Sequence, residues 1–280
     1  MNLTNYHSHS TFCDGHAPME MFVEAALAAG FSSYGFSSHA PLPYHTRWNM
    51  DAADMNAYLT EAARLKAKYA QQIELYVGLE IDYLTPIYNA AIPYFAQLPL
   101  DYRIGSLHTI TDKNGQLYEI DCKIEQFREI VCQHFDGDVE YVLNQYIDRL
   151  EAMITVGGID IVGHADKMHL LADQMRPQLS SATWYKQRME HCFELMREKD
   201  YVVEINTKKY QENGHFFPDV CWWPLMRQMG IRVMVNSDAH FPEKINNGRP
   251  EALRQLQGVG YSHVVEIHGG IMTLEPILTL

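Results

Sequence analysis

A closed α/β barrel is the fold class that this 280-residue chain predicts. Three observations carry it. Short apolar runs alternate with segments of helical period about seven times, which implies a parallel sheet. Nothing between them reads as a linker, a low-complexity tract or a repeat, so the sheet closes on itself within one domain over residues 1–280. The length agrees, because barrels of this kind run to about 250 residues as one unit.

Residues 3–9 read as the first strand. A helix over 18–29 follows, with Pro18 in its first turn and Gly30 just past its end. The second strand is 33–38, and 54–69 is a helix rich in Ala, Leu and Lys. The third strand is 74–80, followed by a short helix over 87–97 despite Pro93. Residues 102–108 give the fourth strand. A long helical region covers about 124–156, where Tyr141-Val-Leu-Asn-Gln-Tyr-Ile-Asp-Arg-Leu150 has apolar residues at helical spacing. The fifth strand is 159–164, then a helix over 183–199 and the sixth strand over 201–206. A helix over 219–230 leads to the seventh strand, 231–236. Residues 262–267 read as either an eighth strand or an outer one.

At 47% hydrophobic and 20% charged, the composition is that of a soluble globular enzyme. The net charge of −13 offers no basic face, so no nucleic-acid partner is expected. Bound cations could still make one pocket positive. The five cysteines are odd in number and form no Cys-x-x-Cys, which argues against a disulfide framework or a thiolate zinc site and for a reducing, cytoplasmic setting. The first residues lack a basic stretch followed by an apolar one, so no signal peptide is expected. No apolar run approaches the roughly 20 residues that cross a bilayer, so no membrane partner is expected.

The chemistry is carried by nine polar residues, nearly all at the ends of those apolar runs. They are His7 and His9 (in Tyr6-His-Ser-His-Ser10), Asp14, His39, Glu80, His108, His164, and Asp238 and His240 (in Ser237-Asp-Ala-His240). His-x-His alone is weak, although strand alternation turns both imidazoles to one face. Asp14 in Cys-Asp-Gly is an ordinary turn signal. His39, His108 and His164 taken singly read equally well as satisfied loop or core histidines. Glu80 and Asp238 do not, because a carboxylate ending an apolar run is costly to bury unless it is paired or metal-bound. In a barrel the C-terminal strand ends meet at one mouth. The joint pattern therefore predicts a site for more than one divalent cation, and hydrolytic chemistry. His16 is an alternative to Asp14. The remaining histidines (His45, His134, His169, His191, His215, His263, His268) read as surface or packing residues, with His45, His169 and His215 in loops over the site. Trp222-Trp223 reads as core or rim.

Together these motifs resemble the polymerase-and-histidinol-phosphatase (PHP) superfamily over almost the whole chain. The matching pieces are Tyr6-His-Ser-His-Ser-Thr-Phe-Cys-Asp-Gly15, Phe36-Ser-Ser-His-Ala-Pro-Leu-Pro43, Val77-Gly-Leu-Glu-Ile-Asp82, Ile104-Gly-Ser-Leu-His108, Ile161-Val-Gly-His-Ala-Asp166, Val203-Glu-Ile-Asn-Thr207 and Asn236-Ser-Asp-Ala-His240. The resemblance implies a distorted (β/α)7 TIM-like barrel with a trinuclear metal centre. It implies one ion on His7, His9, Glu80 and Asp238, and a second on Asp14 (or His16), His39 and His240. Glu80 would bridge to a third held by His108 and His164. Glu80, Asp238 and His240 are the implied catalytic residues. The sequence departs from some relatives eight positions after His7, where a histidine is common and Gly15 stands here.

Within the superfamily the motifs look most like the histidinol-phosphate phosphatases. The implied activity is hydrolysis of L-histidinol phosphate, a small phosphomonoester, by a metal-bridging hydroxide. Other phosphoesters (phosphotyrosine, nucleotides, oligonucleotides) or a non-catalytic metal-binding role are the alternatives. Mixed nitrogen and oxygen ligands suit zinc, manganese and iron alike. Cationic residues near strand ends should hold the phosphate: Lys167, Lys208 and Lys209, with Arg47 and Arg249 behind them. The acidic surface suits a substrate with a cationic end.

Overall fold

The computed structural model describes residues 3–278. The chain begins with β1 (Thr4–Asn5), α1 (Met19–Ala28), β2 (Ser33–Phe36), α2 (Met55–Tyr69), β3 (Glu74–Asp82), α3 (Pro93–Ala96) and β4 (Tyr102–Ser106). A hairpin of β5 (Thr109–Thr111) and β6 (Leu117–Glu119) then precedes α4 (Ile124–His134) and α5 (Val139–Val156). Next come β7 (Ile161–Val162), α6 (Met168–Met175), α7 (Thr183–Glu198), β8 (Val202–Asn206), α8 (Tyr210–Asn213), α9 (Trp223–Met229) and β9 (Val233–Asn236). The described chain closes with α10 (Arg249–Gly258), β10 (His263–His268) and β11 (Ile271–Pro276).

Seven strands form one sheet in the order β1-β2-β3-β4-β7-β8-β9, and each neighbouring pair is parallel. The sheet curls until its two edges meet. Ser8 and Ala239 form a parallel bridge across the seam. Side-chain amides replace the rest of the ladder there: Tyr6 N donates to Asn236 Oδ1 (2.9 Å), and Ser237 N donates to Asn5 Oδ1 (2.7 Å). The expected distorted seven-stranded barrel is thus the observed one. Residues 262–267 take the outer position, because β10 pairs with β11 in a separate antiparallel hairpin.

Strand alternation divides the barrel interior into two layers. Tyr6, Tyr76, Tyr102, Ile104, Ile161, Val202 and Met234 form an apolar cluster with Val265 and Ile267 of the outer hairpin. Tyr102 lies across β2 and β3, its hydroxyl within hydrogen-bond reach of the carbonyls of Tyr6 (2.5 Å) and Phe36 (2.9 Å). Gly78 makes room for that ring; a Cβ there would lie 2.5 Å from Tyr102 Cε2. Two or four residues further along the same strand faces come Glu80, His108, Glu204 and Asp238, so the polar layer sits toward the C-terminal mouth.

Several local expectations differ from the structure. The helix expected over 87–97 shrinks to α3, because Pro93 takes the first helical position rather than the interior. The helical region 124–156 breaks in two where Asp136 and Gly137 adopt positive φ (54° and 76°). Asp138 then caps α5 by accepting from Tyr141 N (2.9 Å). The β5–β6 hairpin, α6 and α10 fall in stretches read as connections.

Candidate metal centre

Glu80 is the hub. It ends the apolar part of β3, is 1% exposed, and has five imidazoles around its carboxylate. His7 Nε2 (3.2 Å), His9 Nε2 (3.5 Å) and His39 Nδ1 (3.0 Å) approach Oε2. His108 Nε2 (3.4 Å) and His164 Nε2 (2.8 Å) approach Oε1. Asp238 Oδ1 lies 3.2 Å from His9 Nε2 and 3.8 Å from His7 Nε2. Asp14 closes the other side, with Oδ2 3.2 Å from His240 Nε2 and Oδ1 3.7 and 3.8 Å from His9 and His39. All nine expected residues therefore converge on one pocket.

The Asp14 and His16 alternatives separate in space. Asp14 turns into the pocket, whereas the exposed His16 stacks on Phe241 (4.1 Å between centroids, 9° between planes). A side chain at Gly15 would put its Cβ 2.3 Å from Ser10 N, so this tight turn admits only glycine. Two ligand candidates sit on left-handed backbone, His164 (φ 24°) and Asp238 (φ 48°). Such positions cost about 1–3 kcal/mol each and persist where surrounding contacts dictate them.

Carboxylates stand behind the imidazoles. Glu204 is fully buried and accepts from His7 Nδ1 (2.7 Å), His164 N (3.0 Å), Asn206 Nδ2 (3.0 Å) and Asn236 Nδ2 (3.1 Å). Asp82 accepts from His108 N and Nδ1, both at 3.0 Å. These bonds set the protons on the far ring nitrogens and aim the near ones at the pocket, as buried partners of metal-binding histidines do. Neither acid was singled out from the sequence. The signal was there: Asp82 lies two residues past Glu80 on the same strand face, and Glu204 sits mid-strand among apolar neighbours. Trp48 was also missed; its indole packs edge-on to His39 (4.8 Å) and beside His108 (5.4 Å).

The expected phosphate-binding cations divide. Lys208 Nζ reaches Asp238 Oδ1 (3.2 Å) and lies 3.5 Å from His240 Nε2. Lys167 pairs with Asp121 (2.8 Å), and Lys209 with Glu212 (2.7 Å). All three lysines line a cleft of about 210 Å³ with His164, Asn206 and Asp238. Arg249 does not. It is 1% exposed, donates to the Val235 carbonyl, and feels Glu266 and Tyr6. Burial pushes its pKa down to about 10 against the pull of Glu266. It is a structural residue of the barrel wall, buried away from the cleft where a phosphate could bind. Arg47 is exposed in the loop after β2, where its neighbour Trp48 takes the place against His39 and His108.

The pocket's charges point to cations. Burial disfavours charge on His7 and His39, yet nearby carboxylates more than offset it and raise both: Glu204, Asp238 and Glu80 for His7, and chiefly Glu80 for His39. Burial and the neighbouring His240 and His39 lower His9. Burial also opposes charge on Glu80 and Asp238, but imidazoles and, for Asp238, first Lys208 hold both well below the usual carboxylate range. Five buried atoms facing one another have no hydrogen-bond partner: His7 Nε2, His9 Nε2, Asp14 Oδ1, His39 Nδ1 and Glu80 Oε2. Buried polar atoms are rarely left so. Within the pocket His9, Asp14, His39 and His240 offer donor atoms within 4.8 Å of one another, as do His7, His164 and Asp238, and also His39, Glu80 and His108. Imidazole and carboxylate sets of this kind fit first-row divalent ions.

A family profile described as PHP domain matches residues 5–208. This chain belongs to the PHP domain family. A probable histidinol-phosphatase of Schizosaccharomyces pombe is 23% identical over 94% of this PHP chain and 89% of its own length. The histidinol-phosphatase of Bacillus subtilis is 26% identical over 84% of this chain and 92% of that protein. Two solved structures share the fold. The putative histidinol phosphatase of Listeria monocytogenes superposes with a TM-score of 0.78 at 23% identity, covering 89% of this chain and 99% of that one. The histidinol phosphate phosphatase of Lactococcus lactis, complexed with zinc, L-histidinol and phosphate, gives 0.72 at 17% identity, covering 96% and 98%.

Proposed function

We propose that this PHP chain is a metal-dependent phosphomonoesterase that hydrolyses L-histidinol phosphate to L-histidinol and phosphate. The observation that carries the proposal is the ring of five histidines around the buried Glu80, opening beside a lysine-lined cleft. Likeness over most of the chain to a probable histidinol-phosphatase of Schizosaccharomyces pombe and the histidinol-phosphatase of Bacillus subtilis supports the substrate. The Lactococcus relative holds zinc, L-histidinol and phosphate, which supports the chemistry.

The proposed ligand set is three divalent ions on His7, His9, Asp14, His39, Glu80, His108, His164, Asp238 and His240, with zinc, manganese and iron all suited. Bound ions supply an acidified water as nucleophile and neutralise charge on the phosphoryl oxygens. The protein's own groups do the rest. Glu204 and Asp82 hold His7 and His108 in their tautomers. Lys208 and Lys167 present ammonium groups to the phosphoryl oxygens from the cleft wall. Asp121, on the same wall, holds Lys167 in place (2.8 Å). Among the described residues no helix is long and apolar enough to cross a membrane.

The test is phosphate release from L-histidinol phosphate beside p-nitrophenyl phosphate, a phosphotyrosine peptide and a nucleotide diester, with manganese, zinc or ferrous iron added. A strong kcat/KM preference for histidinol phosphate is expected. Turnover of another ester alone would keep the metal chemistry and discard the substrate.

A further inference from the structure

A second group of metal-type donors stands outside the pocket around Glu80. His169 lies on α6, His215 in the loop after α8, and Asp219 four residues later, just before α9. One donor atom from each lies within 4.8 Å of the others. Asp219 Oδ2 is 3.9 Å from His169 Nε2 and 3.9 Å from His215 Nδ1.

We propose that His169, His215 and Asp219 form a separate, peripheral site for one divalent transition-metal ion of the zinc class. His169 is prepared for this. It is 5% exposed, and its Nδ1 donates to the Asp166 carbonyl (2.8 Å). The proton is thereby fixed on Nδ1, and the lone pair of Nε2 faces Asp219. Behind the ring stands Asp166, 1% exposed, whose Oδ2 lies 3.4 Å from His169 Nδ1 and accepts from Asp219 N (2.9 Å). A carboxylate behind a ligating imidazole is the usual support of a metal-binding histidine. The other oxygen, Asp166 Oδ1, is buried without a hydrogen-bond partner. Asp166 is nearly out of water, and a cation bound beside it would favour its charged form.

The geometry is near what an ion needs. Tetrahedral bonds of about 2.0–2.2 Å place ligand atoms about 3.3–3.6 Å apart. The two 3.9 Å separations from Asp219 must contract by a few tenths of an ångström, and the two imidazole nitrogens, within 4.8 Å of each other, must close to the same range. His215 has the freedom to move, since its side chain is 41% exposed. All three donors line a cavity of about 490 Å³, which leaves the fourth position to water. Asn213, Leu170 and Gln174 line this cavity and the lysine cleft alike, so the ion would brace the wall that the two share.

The test is metal content and affinity of the full chain dialysed against micromolar zinc, for the unmodified protein, His215→Ala and Asp219→Asn. Both variants should bind one equivalent fewer, or bind that equivalent at least tenfold more weakly. His108→Ala should lose a different equivalent, and His108→Ala/His215→Ala should lose both. Cobalt loading gives a second readout, a visible absorption component absent from His215→Ala alone. Asn at 219 can still accept from Cys221 N as Asp219 does (2.9 Å), and the half-buried His215 contributes little packing. Equal stoichiometry and affinity in the unmodified protein and His215→Ala would overturn the proposal.

Discussion

Glu204→Gln alters one atom that no bound ion need touch, and it should still loosen the metal centre. Glu204 accepts four hydrogen bonds, two on each oxygen: from His7 Nδ1 and Asn236 Nδ2 on one, and from His164 N and Asn206 Nδ2 on the other. A glutamine must turn its NH2 toward one of these pairs, setting donor against donor. If it faces His7, that imidazole loses its anchor and the charge that raises its basicity. If it faces His164, the strained backbone at φ 24° loses its brace. Loss of such a partner costs about 10–100-fold in metal affinity or activity. That is about 1.4–2.7 kcal/mol on the binding free energy. Each buried donor left unpaired removes a further 1–3 kcal/mol, roughly, from folding stability. The assay is competition for metal against a chelator of known affinity, with kcat/KM for a phosphomonoester measured on saturated enzyme. Unchanged metal affinity in a folded Glu204→Gln protein would refute the reasoning.

Other expectations concern single side chains. His108→Ala should lose one metal equivalent by elemental analysis and abolish turnover; full activity would sink the trinuclear arrangement. Lys208→Ala or Lys209→Ala should raise KM for a phosphomonoester, and an unchanged KM in both would remove that pair from phosphate binding. Gly78→Ala should destabilise the barrel by about 1–3 kcal/mol through overpacking against Tyr102, read as a lower denaturation midpoint. An unshifted midpoint would show that the ring moves aside freely.

The barrel was legible because its signal is repetitive. Each strand is a short apolar run, and each ends in a residue whose burial demands a partner, as Glu80 and Asp238 show. What escaped was information held in pairs. Asp82 and Glu204 read as ordinary acids until the fold sets them behind His108 and His7. Arg249 looked like a cation near a strand end, but its side chain runs into the wall toward Val235 and Glu266. Which of Asp14 and His16 enters the pocket depends on the turn at Gly15, whose missing side chain lets the backbone close on Ser10. Helix α6 was hidden by its eight-residue length, and with it the placing of His169 beside Asp219.

The most direct measurement is turnover of L-histidinol phosphate by enzyme stripped with a chelator and then titrated with a divalent ion, metal content being followed in parallel. Stripped protein should be inactive while remaining folded, and phosphate release should return in step with ions bound by the cluster around Glu80. Undiminished hydrolysis by metal-free enzyme would contradict the account.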